Sequence, residues 1–223
     1  MVLIKILDFL GGSLCHQQPA RVFYSGGTYM PVCSRCAGIY IGFLFSVLCL
    51  LAIDRKDKAK LPPKKLLYVS MAALLMMGLD VAISSLGIYD SSNIIRFITG
   101  FMAGWFLPLI IVPVANIVIL KNNVGKYYLE SRKKFIIWIV GAFFTALLFI
   151  LTYRHIIVLW SFLSIIGLVA FNSYIVLILF FSIFKKFTNS IDRTKKYLAA
   201  LTAGGAFSSV MLLLLSFLRR TLF

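Results

Sequence analysis

Six long apolar stretches, separated by short polar connections, run through most of this chain of 223 residues and constrain its fold more than any other feature. A helix of about 20 apolar residues crosses the hydrocarbon core of a bilayer and satisfies its own backbone polar groups there. The composition agrees, since 61% of the residues are hydrophobic, 13% are charged and the mean hydropathy is +0.97. We therefore predict an all-α, polytopic transmembrane helical bundle of about six spans. The stretches are Ala37–Ile53, Leu66–Tyr89, Ile94–Leu120, Phe135–Tyr153, Ile156–Phe184 and Tyr197–Leu218.

The opening segment, Val2–Leu14, is a shorter apolar run of about a dozen residues. It is like a secretory signal only superficially, because Asp8 interrupts the run and no small-residue cleavage pattern follows, so we expect it to be retained. Its length fits a short or re-entrant helix, or one that lies at the membrane interface. We treat residues 1–223 as a single transmembrane domain, in which residues 1–36 form this helix and a loop and residues 37–223 form the bundle.

The basic residues explain the net charge of +16 and orient the chain. Three alternate connections, residues 54–65, 121–134 and 185–196, contain six, five and five of the 23 lysines and arginines. Cytoplasmic loops carry such an excess, so we predict a multi-pass protein of the cell membrane with these connections in the cytoplasm. Because topology accounts for the charge and no aromatic-basic pattern appears, we exclude nucleic acid and expect membrane lipids as partners.

The same rule predicts that the remaining connections are extracytoplasmic. Every basic residue assigned to that side is an arginine, and the guanidinium group binds phosphate and carboxylate in a bidentate geometry that lysine lacks. An anionic ligand, such as a lipid phosphate, is one interpretation, and anchoring at the headgroups is the other. These residues are Arg21, Arg35, Arg96, Arg154, Arg219 and Arg220.

The strongest local motif joins Cys15-His16 to the pair Cys33-x-x-Cys36 across a loop that contains glycine and proline. A Cys-x-x-Cys pair can bind one metal ion, and Cys15 with His16 would complete a tetrahedral site for zinc or another soft transition metal. Adjacent residues rarely chelate the same ion. If His16 does not bind, the fourth position is open to water or substrate and the site has the form of a catalytic one.

Two other readings of the same cysteines stay open. Cys33 precedes a helix whose positive end lowers a thiol pKa, so Cys33 and Cys36 also fit a thiol-disulfide oxidoreductase with Cys15 as the resolving thiol. A plain structural disulfide would leave one cysteine free. Cys49 lies in the middle of a span and is expected to fill apolar space.

Asp80 is the one acidic residue well inside a predicted span. A carboxylate in a membrane needs a partner, and Arg96, near the start of the following helix, is the candidate. We expect Asn93 to cap that helix, with Thr99 and Gly100 on the same face as Arg96. The pair of Asp80 and Arg96 is either a strut between helices or a catalytic or proton-relay site, with Arg21, Arg35, Asn93 and Arg96 as substrate-binding candidates.

Small, polar and proline residues inside the other spans predict details of packing. Gly100 with Gly104, and Gly204 with Ser208, are spaced to let helices approach closely. Buried asparagines at positions 116 and 172 need hydrogen-bond partners. Pro108 and Pro113 should bend the long stretch that contains them.

The three motifs together carry a resemblance. The Cys-His-Gln element, the run Pro-Val-Cys-Ser-Arg-Cys-Ala-Gly-Ile-Tyr-Ile-Gly and the run Ser-Ser-Asn-x-x-Arg-x-x-Thr-Gly resemble a family of bacterial and archaeal membrane proteins known as domain of unknown function 2085. The likeness covers the first half of the chain, to Gly104, and implies no activity. Ala37 stands where the resemblance leads us to expect a threonine. The positions that match the family motifs are Cys15, His16, Arg21, Cys33, Arg35, Cys36, Asp80, Asn93 and Arg96.

Three functional hypotheses follow. The favoured one is an extracytoplasmic zinc-type site, beside arginines and Asp80, that binds or processes an anionic amphiphile such as a lipid phosphate. The first alternative is a membrane thiol-disulfide oxidoreductase that uses Cys33 and Cys36. The second is a small-solute transporter in which Asp80 couples transport to protons. No metalloprotease, serine-hydrolase or nucleotide-binding motif is present in the sequence, and His155 stands alone at a turn.

Overall fold

The computed structural model describes residues 2–54, 60–120, 127–183 and 193–222, and these residues are almost entirely helical. A two-stranded antiparallel hairpin, β1 (Tyr24–Ser25) and β2 (Thr28–Tyr29), and a 3₁₀ turn at Pro19–Arg21 lie between the first two helices. The helices are α1 (Val2–Gly11), α2 (Ser34–Ile53), α3 (Lys64–Ser85), α4 (Asn93–Phe106), α5 (Pro108–Leu120), α6 (Arg132–Thr152), α7 (Ile157–Ile183) and α8 (Arg193–Leu222).

The predicted class and span count are confirmed. Six helical segments of the described residues are long and apolar enough to cross a membrane, and α4 with α5 counts as one of them. The opening segment forms α1, whose 10 residues extend about 15 Å, half the thickness of the hydrocarbon core. It packs against α7 and α8 as a short helix that does not span. The six segments are Ser34–Ile53, Lys64–Ser85, Asn93–Val118, Arg132–Thr152, Ile157–Phe180 and Thr202–Arg219.

Local sequence explains where several helices begin and end. Pro63 precedes α3 in an extended conformation, and the residue before a helix often takes this form. The cap of α4 is Ser92, whose hydroxyl accepts from the amide of Ile95 at 3.3 Å, so the expected cap at Asn93 is wrong by one position. Pro108 has no amide hydrogen to donate, and the helix is interrupted at Leu107, directly before it, whereas Pro113 lies inside α5.

The core is built around α2, which packs against α4, α6 and α7. The backbones of α2 and α4 touch, because a Cβ atom added to Gly38 would lie 2.2 Å from the carbonyl oxygen of Phe97. A Cβ atom at Gly100 would lie 2.2 Å from the carbonyl oxygen of Arg35, and one at Gly104 would be as close to that of Ile39. Close packing at Gly100 and Gly104 is therefore confirmed, and glycine is the residue that permits it.

Both asparagines inside the spans find hydrogen-bond partners, as the sequence required. The side-chain amide of Asn116 donates to the Tyr128 hydroxyl at 3.1 Å, and that of Asn172 donates to the carbonyl of Leu168 at 2.9 Å. Aromatic rings fill the space between helices, with Phe97 of α4 stacked on Phe149 of α6 at 3.9 Å between ring centroids. Large apolar side chains on the outer faces of α3 and α6 are exposed, as expected for surfaces that meet lipid.

The connections segregate to two ends of the bundle. At the cysteine end, defined as residues 12–33, 86–92, 153–156 and the last turn of α8, Asn93 donates to the carbonyl of Val22 and Ser25 to that of Arg154. At the basic end, defined as residues 54, 60–63 and 127–131, Lys134 forms an ion pair with Asp54.

This alternation is the one that the charge pattern predicted, while the side of the membrane that each end faces stays a prediction. Residues Arg55, Lys56, Lys58, Lys121, Lys126, Phe184, Lys185 and Lys186, on which the predicted spans and orientation partly rest, lie outside the described residues.

Candidate metal centre

The loop that carries the cysteines is held in shape by a tight hairpin. Gly26 and Gly27, with φ of +54° and +77°, form its two-residue turn, and both values are in the left-handed region that glycine adopts without strain. Phe23 packs its ring against Phe97, Phe149 and Tyr153, with centroids 4.8–6.1 Å apart. The loop is thereby anchored to α4 and α6 instead of extending from the bundle.

Three cysteines meet where this loop enters α2. The sulfur atoms of Cys15, Cys33 and Cys36 all lie within 4.8 Å of one another, and all three cysteines are free thiols. Cys33 is the N-cap residue of α2 and Cys36 lies in its first turn, so the helix brings both sulfurs to one side. The backbone amide of Cys33 donates to the sulfur of Cys15 at 3.0 Å.

The three thiols of the cluster differ in how readily they lose a proton. Hydrogen bonds with the thiols of Cys15 and Cys36 hold the pKa of the Cys33 thiol well below its usual range. The hydrogen bond that Cys15 makes with Cys33 raises the pKa of the Cys15 thiol. The N-terminus of α2 adds the positive end of a helix dipole at the same place. The thiolate form, in which cysteine binds a soft metal ion, is therefore favoured at Cys33.

His16 lies outside this cluster, contrary to the expectation of a fourth protein ligand. Its side chain is exposed, whereas that of Cys15 is buried. Cys15 faces the bundle and its neighbour His16 faces solvent, so only the first of these two adjacent side chains reaches the cluster. The candidate metal ligands are therefore the three cysteines alone, without His16. His155 is also exposed, and Cys49 lies beside Gly141 of α6, away from the cluster.

Two side chains from elsewhere hold the loop near Cys15. The amide group of Gln17, which has a left-handed φ of +48°, donates to the carbonyls of Asp8 and Pro31 at 2.7 and 2.9 Å. Arg219, in the last turn of α8, donates to the carbonyl of Gly12 at 2.7 Å and to that of Cys15. Sequence reasoning assigned Arg219 either to headgroup contact or to ligand binding and missed this clamp.

Asp80 is the centre of a second constellation, immediately beside the first. Its carboxylate forms a buried ion pair with Arg35, the residue before Cys36. Ser91 donates to the other carboxylate oxygen at 3.0 Å, and Thr99 donates to the oxygen that Arg35 contacts, at 3.2 Å. Asp80 thereby connects α2, α3 and α4, which supports the strut interpretation.

The expected ion pair between Arg96 and Asp80 is not formed. Arg96 instead pairs with Asp90 at 3.2 Å and donates to the side chain of Asn93 at 3.4 Å. Arg35 is closer to Asp80 because the glycine contact between α2 and α4 brings it there. Asn93 also donates to the carbonyl of Val22, so it joins α4 to the loop instead of capping the helix.

Arg96 has an unusual environment for a charged group. Its side chain is 7% exposed, while the side chain of its partner Asp90 is fully exposed to solvent. Within the described residues its Nε atom is buried and has no hydrogen-bond partner. A guanidinium with an unused donor next to a helix N-terminus is suited to an anion. Arg21 lies in the cysteine loop, where its carbonyl accepts a hydrogen bond from Ser34 at 2.9 Å.

Comparisons with known proteins agree with the motifs. Residues 15–110 match the family described as "Predicted membrane protein (DUF2085)". The chain is 40% identical over 101 residues to an uncharacterized protein of Methanocaldococcus jannaschii, which covers 45% of this chain and 63% of that protein. It is 38% identical over 93 residues to an uncharacterized protein of Methanothermobacter thermautotrophicus, which covers 41% of this chain and 78% of that protein. The chain therefore spans less than two thirds of the first of these relatives. No solved structure matches.

Proposed function

Because this chain belongs to the DUF2085 family of predicted membrane proteins, a family whose description states no activity, we propose its function from the cysteine end itself. The protein is an integral membrane protein in which Cys15, Cys33 and Cys36 bind one zinc-type metal ion. Beside that ion it binds or processes an anionic amphiphile such as a lipid phosphate. The positive-inside rule puts this end outside the cytoplasm.

The convergence of the three sulfurs within 4.8 Å carries the proposal. Three sulfurs that each bind zinc at about 2.3 Å in tetrahedral geometry lie about 3.8 Å apart, so the cluster needs little rearrangement to bind the ion. The amide of Cys33 supports it further, since a hydrogen bond to the Cys15 sulfur stabilises thiolate character. Cys15 and Cys33 come from opposite ends of the loop, and a metal ion would close it.

Three protein ligands leave the fourth position for water or substrate, which is the arrangement of catalytic zinc sites. When bound, the ion would act as a Lewis acid toward a phosphoryl or carbonyl oxygen. Arg96 supplies the nearby anion-binding donors, and the fully exposed Asp90 is a counterion that an incoming anion can displace. Arg35 of α2 and Thr99 of α4 both contact the carboxylate of Asp80 on α3, and this shared contact holds the cluster and Arg96 in their relative positions.

Metal content tests the first half of the proposal. We expect the protein, purified in detergent with a reductant, to contain close to one equivalent of zinc by mass spectrometry, and Cys36→Ser to lose most of it. Cys49→Ser is the matched control and should retain the metal, as should His16→Ala. Less than a tenth of an equivalent in the wild type, with no difference in Cys36→Ser, would refute the metal site.

Ligand binding tests the second half. We expect a short-chain phosphatidic acid to bind to the zinc-loaded protein and to bind about tenfold more weakly to Arg96→Gln, because one charge-assisted contact is lost. Arg154→Gln is the matched control, since Arg154 is exposed at the same end. Equal affinity in the two variants would remove Arg96 from the site and leave the metal result intact.

Thiol-disulfide exchange is the second candidate, and the closeness of the free thiols of Cys33 and Cys36 favours it. In that reaction the Cys33 thiolate would attack a disulfide of a partner protein and release one partner thiolate. Cys36 would then displace the other and leave a Cys33–Cys36 disulfide. Trapping thiols in cells with an alkylating reagent distinguishes the two functions. A fully reduced cluster under all growth conditions argues for the metal, and a mixed population argues for exchange.

The transport hypothesis has less support. Asp80 accepts hydrogen bonds from Arg35, Ser91 and Thr99 at once, as a structural carboxylate does. A residue that couples transport to protons must release such partners in every cycle. Uptake that is driven by a pH gradient and abolished in Asp80→Asn, at unchanged helical content, would restore this hypothesis.

A further inference from the structure

A groove of about 650 Å³ lies at the basic end of the bundle, between the first turns of α3 and α6. Leu66 and Val69 of α3 form one wall, and Phe135 and Ile136 of α6 form the other. Val69 and Ile136 are largely exposed, so these walls continue into the outer faces that meet lipid. The groove has the volume of sites that hold a small amphiphilic molecule.

The rim of the groove is positively charged. Lys65 and Arg132 line it together with one acidic residue, Glu130. Their sum is one positive charge, which matches the single negative charge of a phosphodiester. Two helices also begin at this rim, and neither contains an acidic residue in its first turn or receives a side-chain cap. The helix dipoles therefore add to the positive potential without an internal counterion.

The segment that closes the groove is fixed in place. The amide of Leu129 donates to Asp54 at 3.1 Å, and Lys134 forms an ion pair with the same carboxylate. Asp54 thus neutralises Lys134, which is not one of the residues that line the groove. The groove is a formed feature of the basic end, with charge at its rim and apolar surface below it.

We propose that this groove binds an anionic glycerophospholipid of the membrane leaflet at the basic end. The phosphodiester lies between Lys65 and Arg132, and an acyl chain follows the apolar walls toward the bilayer centre. A free phosphate would use the rim alone and leave the walls unoccupied. This site is at the opposite end of the bundle from the cysteines and does not depend on the proposed metal.

Lipid titration with paired variants tests the site. Dioleoyl-phosphatidylglycerol is titrated into the full-length protein in detergent and followed by native mass spectrometry, with phosphatidylcholine as the neutral lipid. The variant Lys65→Gln/Arg132→Gln is compared with Lys64→Gln/Lys133→Gln, which removes the same charge from the same two helical turns. We expect the groove variant to bind phosphatidylglycerol about tenfold or more weakly than the control, because it loses charge-assisted hydrogen bonds in addition to the general attraction.

Two further measurements complete the test. Glycerophosphoglycerol, the headgroup without acyl chains, should not compete with the intact lipid, and circular dichroism should show unchanged helical content in both variants. Equal affinity of the two variants would overturn the proposal, because binding would then be diffuse attraction to the basic end. Competition by the free headgroup would overturn it as well, because the apolar walls would have no role.

Discussion

Replacing Arg219 by glutamine removes the charged clamp between the last turn of α8 and the cysteine loop. One guanidinium nitrogen donates to the carbonyl of Gly12 at 2.7 Å and also to that of Cys15. A hydrogen bond with a charged group contributes about 1.5–3 kcal/mol, and sharing one nitrogen at a half-buried position reduces the pair to about 2 kcal/mol in total. Glutamine is shorter and uncharged, so local opening of the loop should become about 30-fold more frequent.

The Cys15 thiol reports this opening, because only 3% of the residue is exposed. The assay measures its modification by N-ethylmaleimide in detergent with a chelator present, and peptide mass spectrometry separates it from the other cysteines. Arg154→Gln is the control, since Arg154 is exposed at the same end and its Nε donates to the Tyr153 hydroxyl at 3.1 Å. We expect Cys15 to react about 30-fold faster in Arg219→Gln and at the wild-type rate in the control. Equal rates in the two variants would refute the clamp, whether or not a metal binds.

Two further predictions concern packing and charge. Gly38→Ala should lower the free energy of unfolding by about 1–3 kcal/mol, because the added carbon meets the backbone of α4. The control Gly78→Ala has open space around it and should be neutral or stabilising by up to about 1 kcal/mol. Thermal unfolding in detergent compares the two variants, and similar losses of stability would contradict the contact between α2 and α4. Asp80→Asn should cost about 3–5 kcal/mol, because it leaves the largely buried charge of Arg35 without its partner; an unchanged melting temperature in detergent would count against the strut.

The spans were predictable because their physical cause is local. A run of about 20 apolar residues has few alternatives to a helix in lipid, so Ala37–Ile53 needed no knowledge of its neighbours. The same holds for the glycines of α4, whose spacing indicates close packing whichever helix supplies the partner. The hairpin at Gly26-Gly27 was also predictable, since two glycines between Tyr-Ser and Thr-Tyr favour a tight turn between two short strands.

The partners within the site were not predictable in the same way. In a topology diagram, Arg35 and Arg96 are both near Asp80. Which of them forms the ion pair depends on how closely the backbones of α2 and α4 approach each other at Gly38 and Gly100. The distance between two packed helix backbones depends on the tertiary structure, and no sequence motif specifies it. The exclusion of His16 was anticipated as one of two cases. Which of the two adjacent side chains, Cys15 or His16, lies on the buried side of the loop was not predictable from the sequence.

The contact made by Arg219 has a consequence for biosynthesis. The two residues that it joins are 204 positions apart in the chain, and ribosomes make proteins from the amino end. The cysteine loop therefore enters the membrane before Arg219 has been made, and the clamp can form only after α8 has inserted. Arg219, which supplies the clamp, lies outside residues 15–110, the segment that matches the family. In this protein, the last helix thus completes the packing of the cysteine loop near the start of the chain.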